Sequence, residues 1–185
     1  MRSAAKFGAL SVLTLVLSSP AGTQEREGLM ADLIRDVDQV QTKIVGLAKA
    51  MPEETYDWRP GKGVRSTSET LKHVAADNYF LPAAMGISPP KESGINGKDY
   101  ETTIAFEKKS MTRDQAIAEL EKSFAFLKTS MTSFPDEKLG APLDVFGQKM
   151  THRGLWISTT THLHEHLGQL IAYARSNNVT PPWSK

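Results

Sequence analysis

Three of the five histidines in this chain lie within one short stretch, His162-Leu163-His164-Glu165-His166-Leu167-Gly168-Gln169-Leu170. His162 and His166 are four residues apart, which in an α-helix corresponds to about 40° of rotation and about 6 Å of rise. Both imidazoles then leave the same helix face, where their nitrogens can ligate one metal ion at about 2.0–2.1 Å. His164 would lie about 200° round the helix from this pair. The stretch therefore predicts a helix that carries half of a metal site.

The strongest candidate for a third ligand is His73. The run Ser66-Thr67-Ser68-Glu69 is a capping box, which predicts that a helix begins there and continues through His73. Two inward-facing helices of a bundle can bring His73 against the pair. Three neutral imidazoles with an open fourth position are the ligand set of catalytic zinc sites, although nickel, iron and manganese also accept imidazole. Because the chain has no cysteine, nitrogen and oxygen atoms would have to hold this divalent metal, and zinc is the leading expectation.

Three further residues lie at helical spacing from these histidines. Asp77, four residues after the candidate third ligand, is a candidate general base or hydrogen-bond acceptor, and the alternative is an acid on a solvated helix surface. Gln169 follows His166 by three residues and could orient a ligand or a bound water from outside the metal's own ligand set. Gly168 costs a helix interior about 1 kcal/mol relative to alanine, which predicts close packing at that position. The helical metalloprotease motif is excluded, because it requires glutamate where Leu163 stands.

Apolar periodicity divides the chain into helical segments. Apolar residues recur at steps of three and four, as in amphipathic helices, through residues 24–51, 66–81, 112–134 and 153–176. A second capping box, Thr112-Arg113-Asp114-Gln115, begins the third segment, and Pro82 should kink or close the second segment near Phe80. Residues 86–105 form a long connection between helices 2 and 3, and residues 144–150 are expected to form a turn or hairpin. This order predicts an all-α fold, a four-helix bundle.

The first 21 residues differ in character from the rest of the chain. A basic segment from Met1 to Lys6 precedes an apolar run from Phe7 to Leu17 that is too short to span a bilayer easily. Small residues then flank a proline in Ser19-Pro20-Ala21. This order is typical of a secretory signal peptide. We therefore expect a signal peptide at residues 1–21, a mature domain at residues 22–185 and a periplasmic or secreted protein; the alternative is an uncleaved anchor.

The net charge argues against a nucleic-acid partner. The full chain has a formal net charge of +1, and loss of Arg2 and Lys6 with the signal peptide would remove two positive charges and no acid. A near-neutral chain lacks the basic footprint that binds phosphate backbones. No other apolar run reaches membrane length, so we expect no stable membrane insertion after signal cleavage.

Taken together, these motifs resemble the DinB-like metal-binding four-helix bundles, a superfamily that includes the YfiT-like proteins and some thiol-dependent transferases. The resemblance covers roughly residues 28–183 and is carried by Trp58-Arg59-Pro60, Leu71-Lys72-His73-Val74-Ala75, the stretch from His162 to Leu170, and Pro181-Pro182-Trp183. In that family, one histidine of the second helix and a His-x-x-x-His pair before Gly-Gln form the metal triad. The resemblance therefore implies that His73, His162 and His166 hold the metal.

The resemblance implies a reaction class less sharply than it implies a fold. Some relatives transfer low-molecular-weight thiols, and others look like metal-dependent hydrolases. Thiol cofactors are scarce outside the cytoplasm, so the signal peptide disfavours thiol transfer here. We expect an exported metal-dependent hydrolase or transferase that acts on a small molecule, and the alternative is a non-catalytic metal-binding module. A homodimer is also expected, because relatives often pair through bundle faces.

Overall fold

A computed structural model describes residue 1, residues 27–145 and residues 147–184. Its four long helices are α1 (Leu29–Ala50), α2 (Thr67–Ala84), α4 (Arg113–Ser133) and α5 (His152–Ser176). A short helix, α3 (Glu101–Glu107), lies between α2 and α4. An antiparallel hairpin of β1 (Pro142–Val145) and β2 (Gln148–Thr151) leads into α5. The predicted all-α four-helix bundle is confirmed, with this small hairpin added to it.

Side-chain caps explain where three of the long helices begin. Ser66 accepts a hydrogen bond from the backbone N–H of Glu69, and the Glu69 carboxylate accepts one from the Ser66 N–H. Thr112 and Gln115 form the same reciprocal pair at the start of α4. At α5, the Thr151 hydroxyl accepts from the N–H of Gly154. These caps satisfy N–H groups that have no partner within the helix, so both predicted capping boxes are confirmed.

The order of packing determines which helices can share a site. α1 packs mainly against α4 and α5, and α2 packs against the same two helices and against the short α3. α1 and α2 therefore face each other across the bundle although they are consecutive in sequence. The apolar stripes of the four helices meet in one core, whose largest fully buried side chains include Trp156, Phe124, Leu120, Leu127, Met131 and Leu163. The contact between α2 and α5 brings the helix of His73 against the helix of His162.

Three local expectations differ from the structure. α2 continues through Pro82 to Ala84, so the predicted closure near Phe80 is wrong by one turn; a proline in the last turn removes one hydrogen bond of a helix that is about to end. The connection 86–105 is not irregular throughout, because it includes the start of α3. Finally, a Cβ built at Gly168 meets no atom within 4 Å, so the close packing predicted there is wrong.

The N-terminal prediction lies almost entirely outside the described residues, since residues 2–26 are not among them. The signal peptide and its cleavage after Ala21 therefore stay predictions. Within the described part of the chain, no helix combines the length and the apolar character needed to cross a bilayer.

Candidate metal centre

Three imidazoles converge where α2 meets α5. The Nε2 atom of His162 lies 3.2 Å from Nε2 of His73 and 2.9 Å from Nε2 of His166. A tetrahedral ion with nitrogen bonds of about 2.0–2.1 Å would hold its ligand nitrogens about 3.3 Å apart. His73 is buried, and the other two imidazoles are half-buried. The structure thus brings together the three histidines predicted from the sequence, with the same nitrogen of each ring turned toward the others.

A half-buried carboxylate orients the ring of His73. Glu107, at the end of α3, lies 2.7 Å from the His73 Nδ1, and Arg65 donates to both of its oxygens at 2.9 and 3.2 Å. Burial alone would raise the pKa of Glu107, but the hydrogen bonds from His73 and Arg65 outweigh it and lower that pKa. An ionised carboxylate can only accept, so the proton lies on Nδ1 of His73. The Nε2 lone pair of His73 is then free for a metal.

A second chain of hydrogen bonds orients the ring of His166. The backbone carbonyl of Arg65 can only accept, and the Tyr173 hydroxyl donates to it at 2.9 Å. That hydroxyl accepts in turn from the Gln169 side-chain N–H at 2.7 Å, which leaves the Gln169 oxygen 2.8 Å from Nδ1 of His166. The proton of His166 therefore lies on Nδ1, and its Nε2 carries the lone pair. The predicted placement of Gln169 beside a ligand histidine agrees with this geometry.

The third ring, His162, turns its Nε2 toward the lone pairs of His73 and His166. Burial, followed by the charges of His166, His73 and Arg65, lowers the pKa of His162 to about 3, so this imidazole is neutral at physiological pH. A neutral His162 can donate from Nε2 to one neighbouring nitrogen and not to both. One lone pair therefore stays unmatched unless a cation lies between the rings. This surplus of acceptors and the nitrogen spacing fit a divalent metal.

Asp77 lies beside the three rings. It is buried, and its Oδ2 atom is 3.4 Å from Nε2 of His73 and 3.4 Å from Nε2 of His162. Its other oxygen, Oδ1, is buried without any hydrogen-bond partner. Burial raises the pKa of Asp77 to about 6, although the neighbouring His73 opposes this rise. The alternative of a solvated surface acid is therefore wrong, because Asp77 is one helical turn beyond His73 on the face of α2 that turns toward α5.

A cleft opens beside these residues. Its volume is about 430 Å³, and its walls include Asp77, His162, Leu81, Met150, Leu155 and Tyr100. We call it the inner cleft. The apolar residues come from α2, the hairpin and α5, and Tyr100 comes from the turn before α3. A small molecule in the inner cleft would therefore have direct access to His162 and Asp77.

The two remaining histidines lie elsewhere. The Nε2 atom of His164 is 3.0 and 2.9 Å from the two carboxylate oxygens of Asp36 in α1, on the opposite side of α5. The Nδ1 atom of His152 is 3.0 Å from the carbonyl oxygen of Ala141. Glu69 acts as a helix cap, as expected from its place in the capping box. None of these three residues reaches the candidate metal centre.

Sequence reasoning missed Glu107, Arg65 and the role of Tyr173. Glu107 is 34 residues from His73, and Arg65 is 42 residues from Glu107, so no local spacing connects them. Tyr173 was detectable, because it continues the helix stripe of His166 and Gln169 by one more turn. A metal-ligating histidine generally donates its other N–H to an acceptor such as a carboxylate. This rule predicts that an acceptor lies beside His73, but it does not predict which residue of the sequence supplies it.

Sequence and fold relate this chain to one family of known proteins. Residues 36–170 match the sequence profile described as the DinB superfamily. No curated protein matches the chain significantly. The fold is similar to a crystal structure of a DinB-like protein from Bacillus subtilis, at 18% identity and a TM-score of 0.62, over 80% of this chain and 93% of that one. It is also similar to a DinB-like protein from Bacillus cereus, at 14% identity and a TM-score of 0.66, over 81% and 93%.

A further similar structure bears on the architecture. YfiT from Bacillus subtilis matches at 14% identity and a TM-score of 0.60, over 90% of this chain and 100% of that one. YfiT is described as a probable metal-dependent hydrolase with an unusual four-helix bundle topology. At these identities the likeness establishes the fold alone.

Proposed function

This chain belongs to the DinB superfamily, and from that premise we propose that it is an exported metal-dependent hydrolase acting on a small molecule. One observation carries the proposal: three Nε2 atoms converge beside an open cleft, at spacings of 3.2 and 2.9 Å. Glu107 and Gln169 hold the protons of two of these rings on the far nitrogen. The description of YfiT as a probable metal-dependent hydrolase supports the same reaction class.

His73, His162 and His166 would hold the metal, with zinc as the first choice among zinc, nickel, iron and manganese. Such a cation, when bound, lowers the pKa of water and polarises a substrate carbonyl. The chain's own residues supply the proton acceptor and the binding surface. Asp77 has a buried oxygen without a hydrogen-bond partner, and we assign it the removal of a proton from the attacking nucleophile. The inner cleft holds the substrate beside His162.

The position of Asp77 favours a second interpretation of the metal centre. Because its Oδ2 lies 3.4 Å from Nε2 of both His73 and His162, Asp77 could serve as a fourth protein ligand. Four protein ligands close a zinc site and make it structural, whereas catalytic sites keep one position open. In that case the protein would be a non-catalytic metal-binding module. The two readings differ in whether the bound metal keeps an exchangeable position.

The test begins with metal content. Each of the five histidines is replaced by alanine in turn, and zinc per chain is measured after dialysis. We expect the variants at His73, His162 and His166 to lose most of the metal, and the matched controls His152→Ala and His164→Ala to keep it. If His73→Ala retains full stoichiometry, or His164→Ala loses it, the triad is wrong.

Turnover then separates the two readings. The zinc-loaded protein is assayed on a panel of neutral esters, amides and lactones, with Asp77→Asn in parallel. The hydrolase proposal predicts turnover in the parent protein and a strong loss of kcat in Asp77→Asn with zinc still bound. Absence of turnover across the panel, together with loss of zinc in Asp77→Asn, would support the non-catalytic module.

Export is the remaining part of the proposal. It is supported by the basic segment, the short apolar run and the small residues of Ser19-Pro20-Ala21. Cleavage after Ala21 predicts a mature chain that begins at Gly22. N-terminal sequencing of the protein from its source cells measures this directly, and an intact Met1 would contradict it.

A further inference from the structure

A second cleft continues the inner cleft along α2. Its volume is about 420 Å³, and its walls include Phe80, Ala84, Tyr100, Asp144 and Val145. We call it the outer cleft. Tyr100 borders both clefts, so the two meet at this side chain. We call the two neighbouring clefts together the groove, which leads away from the three histidines.

Helix geometry explains the direction of the groove. Asp77 and Leu81 border the inner cleft, and Phe80 and Ala84 border the outer cleft. Residues at these spacings of three and four share one helix face. From Asp77 to Ala84 the helix rises about 10 Å. The groove therefore follows α2 from the candidate metal centre toward the C-terminal end of that helix.

The hairpin forms the opposite wall. Gln148 and Met150 of β2 border the inner cleft, and Asp144 and Val145 of β1 border the outer cleft. Val145 pairs with Gln148 in the strand register, so one short hairpin spans both clefts. Residues of this one hairpin therefore border both clefts of the groove.

The chemistry of the walls limits what can bind. Along the inner cleft, Leu81, Met150 and Leu155 are apolar, and no lysine or arginine is among the described residues that line it. The outer cleft has apolar walls at Phe80, Ala84 and Val145. Its charged residues, Lys98 and Asp144, are exposed at the rim and have opposite signs. Among the described residues that line the groove, Lys98 at this rim is therefore the only lysine or arginine that could pair with an anionic chain.

We propose that the groove binds an elongated, uncharged substrate, whose reacting group lies in the inner cleft and whose apolar chain passes Tyr100 into the outer cleft. This inference rests on the proposed function, because it assigns the substrate class of the same site. An acyl ester or amide with a medium-length carbon chain has this shape and charge. The groove, rather than the metal centre, sets the preference for chain length.

The experiment measures binding without turnover. The probes are methyl n-alkyl ketones with chains of two to ten carbons, which are neutral and contain no bond that a hydrolase can cleave. Their affinities are read by displacement of the neutral fluorophore N-phenyl-1-naphthylamine, in zinc-loaded and in metal-free protein. Each methylene that enters an apolar site should raise affinity roughly fourfold. We expect this rise to continue until the chain fills the groove and then to level off.

Two variants narrow the outer cleft from opposite walls. Ala84→Trp adds side-chain volume on α2, and Asp144→Trp adds it at an exposed position of the hairpin. Because Asp144 is exposed, the second variant remains informative if the first does not fold. Both should lower the chain length at which affinity levels off and leave the affinity of the shortest probe unchanged. Ala118→Trp is the matched control, because Ala118 is exposed and borders a different cavity on α4. It should give the parent profile.

The results separate this inference from the proposed function. Affinities that do not change with chain length, or a level-off point unaffected in both outer-cleft variants, would overturn the substrate assignment. Zinc content is measured on the same preparations. If the chain-length profile is flat while zinc binds at the three histidines, the groove is wrong and the metal site stands. If zinc fails to bind while the profile rises, the metal site is wrong and the groove stands.

Discussion

Glu107→Ala tests whether the residues behind the histidines determine metal affinity. The change removes the acceptor that lies 2.7 Å from Nδ1 of His73. The ring then loses the interaction that holds its proton on Nδ1 and its Nε2 toward His162. Removing such a supporting acceptor costs about 10- to 100-fold in metal affinity.

The structure places Glu107→Ala at the upper end of this range. The lost acceptor is charged, half-buried and held by two hydrogen bonds from Arg65 at 2.9 and 3.2 Å. Hydrogen bonds to charged groups are stronger than neutral ones. We therefore expect about 100-fold weaker zinc binding, or about 2.8 kcal/mol. Gln169→Ala removes a neutral acceptor from His166 and should cost only about tenfold, or about 1.4 kcal/mol.

Zinc affinity is measured by competition with a chromogenic chelator at pH 7.5. Thermal melts of the metal-free variants run alongside, because an unpaired N–H on buried His73 lowers stability by about 1–3 kcal/mol by itself. Glu121→Ala is the matched control: it removes a surface carboxylate that pairs with Lys49 at 2.7 Å. A folded Glu107→Ala variant that binds zinc within twofold of the parent would falsify the reasoning.

Three further predictions concern acid stability, the core and assembly. In metal-free protein, burial and then His166 lower the pKa of His162 to about 3, so acid destabilises the fold at this site between its unfolded pKa of about 6.5 and 3. Burial raises the pKa of Asp77 to about 6. Protonation of this carboxyl therefore stabilises the fold as the pH falls from 6 to about 4. Urea unfolding at pH 7 and pH 5 should therefore show a steeper loss of stability in Asp77→Asn and a shallower one in His162→Gln, each by about 1 kcal/mol; equal slopes would contradict this. Phe124→Ala empties a fully buried core position and should lower the free energy of unfolding by about 3–5 kcal/mol, as measured by urea titration. Light scattering should detect a homodimer at micromolar concentration, and a monomer throughout that range would count against it.

The regular parts of the fold were predictable because their signals are local. Helix starts follow from side chains that reach three residues along the chain, as Ser66 does with Glu69 and Thr112 with Gln115. The convergence of His162 and His166 follows from one turn of α-helix. These features depend on residues that are three or four positions apart and on the constant geometry of the α-helix. They can therefore be predicted from a single sequence.

The carboxylate that orients His73 is brought into place by contacts between distant parts of the chain. The run from Glu101 to Glu107 has no capping box and is only seven residues long, so nothing local distinguishes α3 from a loop. Its last residue reaches His73 only because the connection folds back onto α2. The set of three converging histidines was therefore accessible to sequence reasoning, whereas the carboxylate that orients one of them was not.

Arg65 supports the imidazoles of both His73 and His166, the first through its side chain and the second through its backbone. Its guanidinium holds Glu107 behind His73, and its carbonyl oxygen anchors Tyr173, and through it Gln169, behind His166. Any residue at this position keeps a carbonyl, so the support of His166 does not depend on arginine. The support of His73 does, because the guanidinium donates to both oxygens of the Glu107 carboxylate. The identity of residue 65 thus matters for one imidazole, and the path of the backbone before α2 matters for the other.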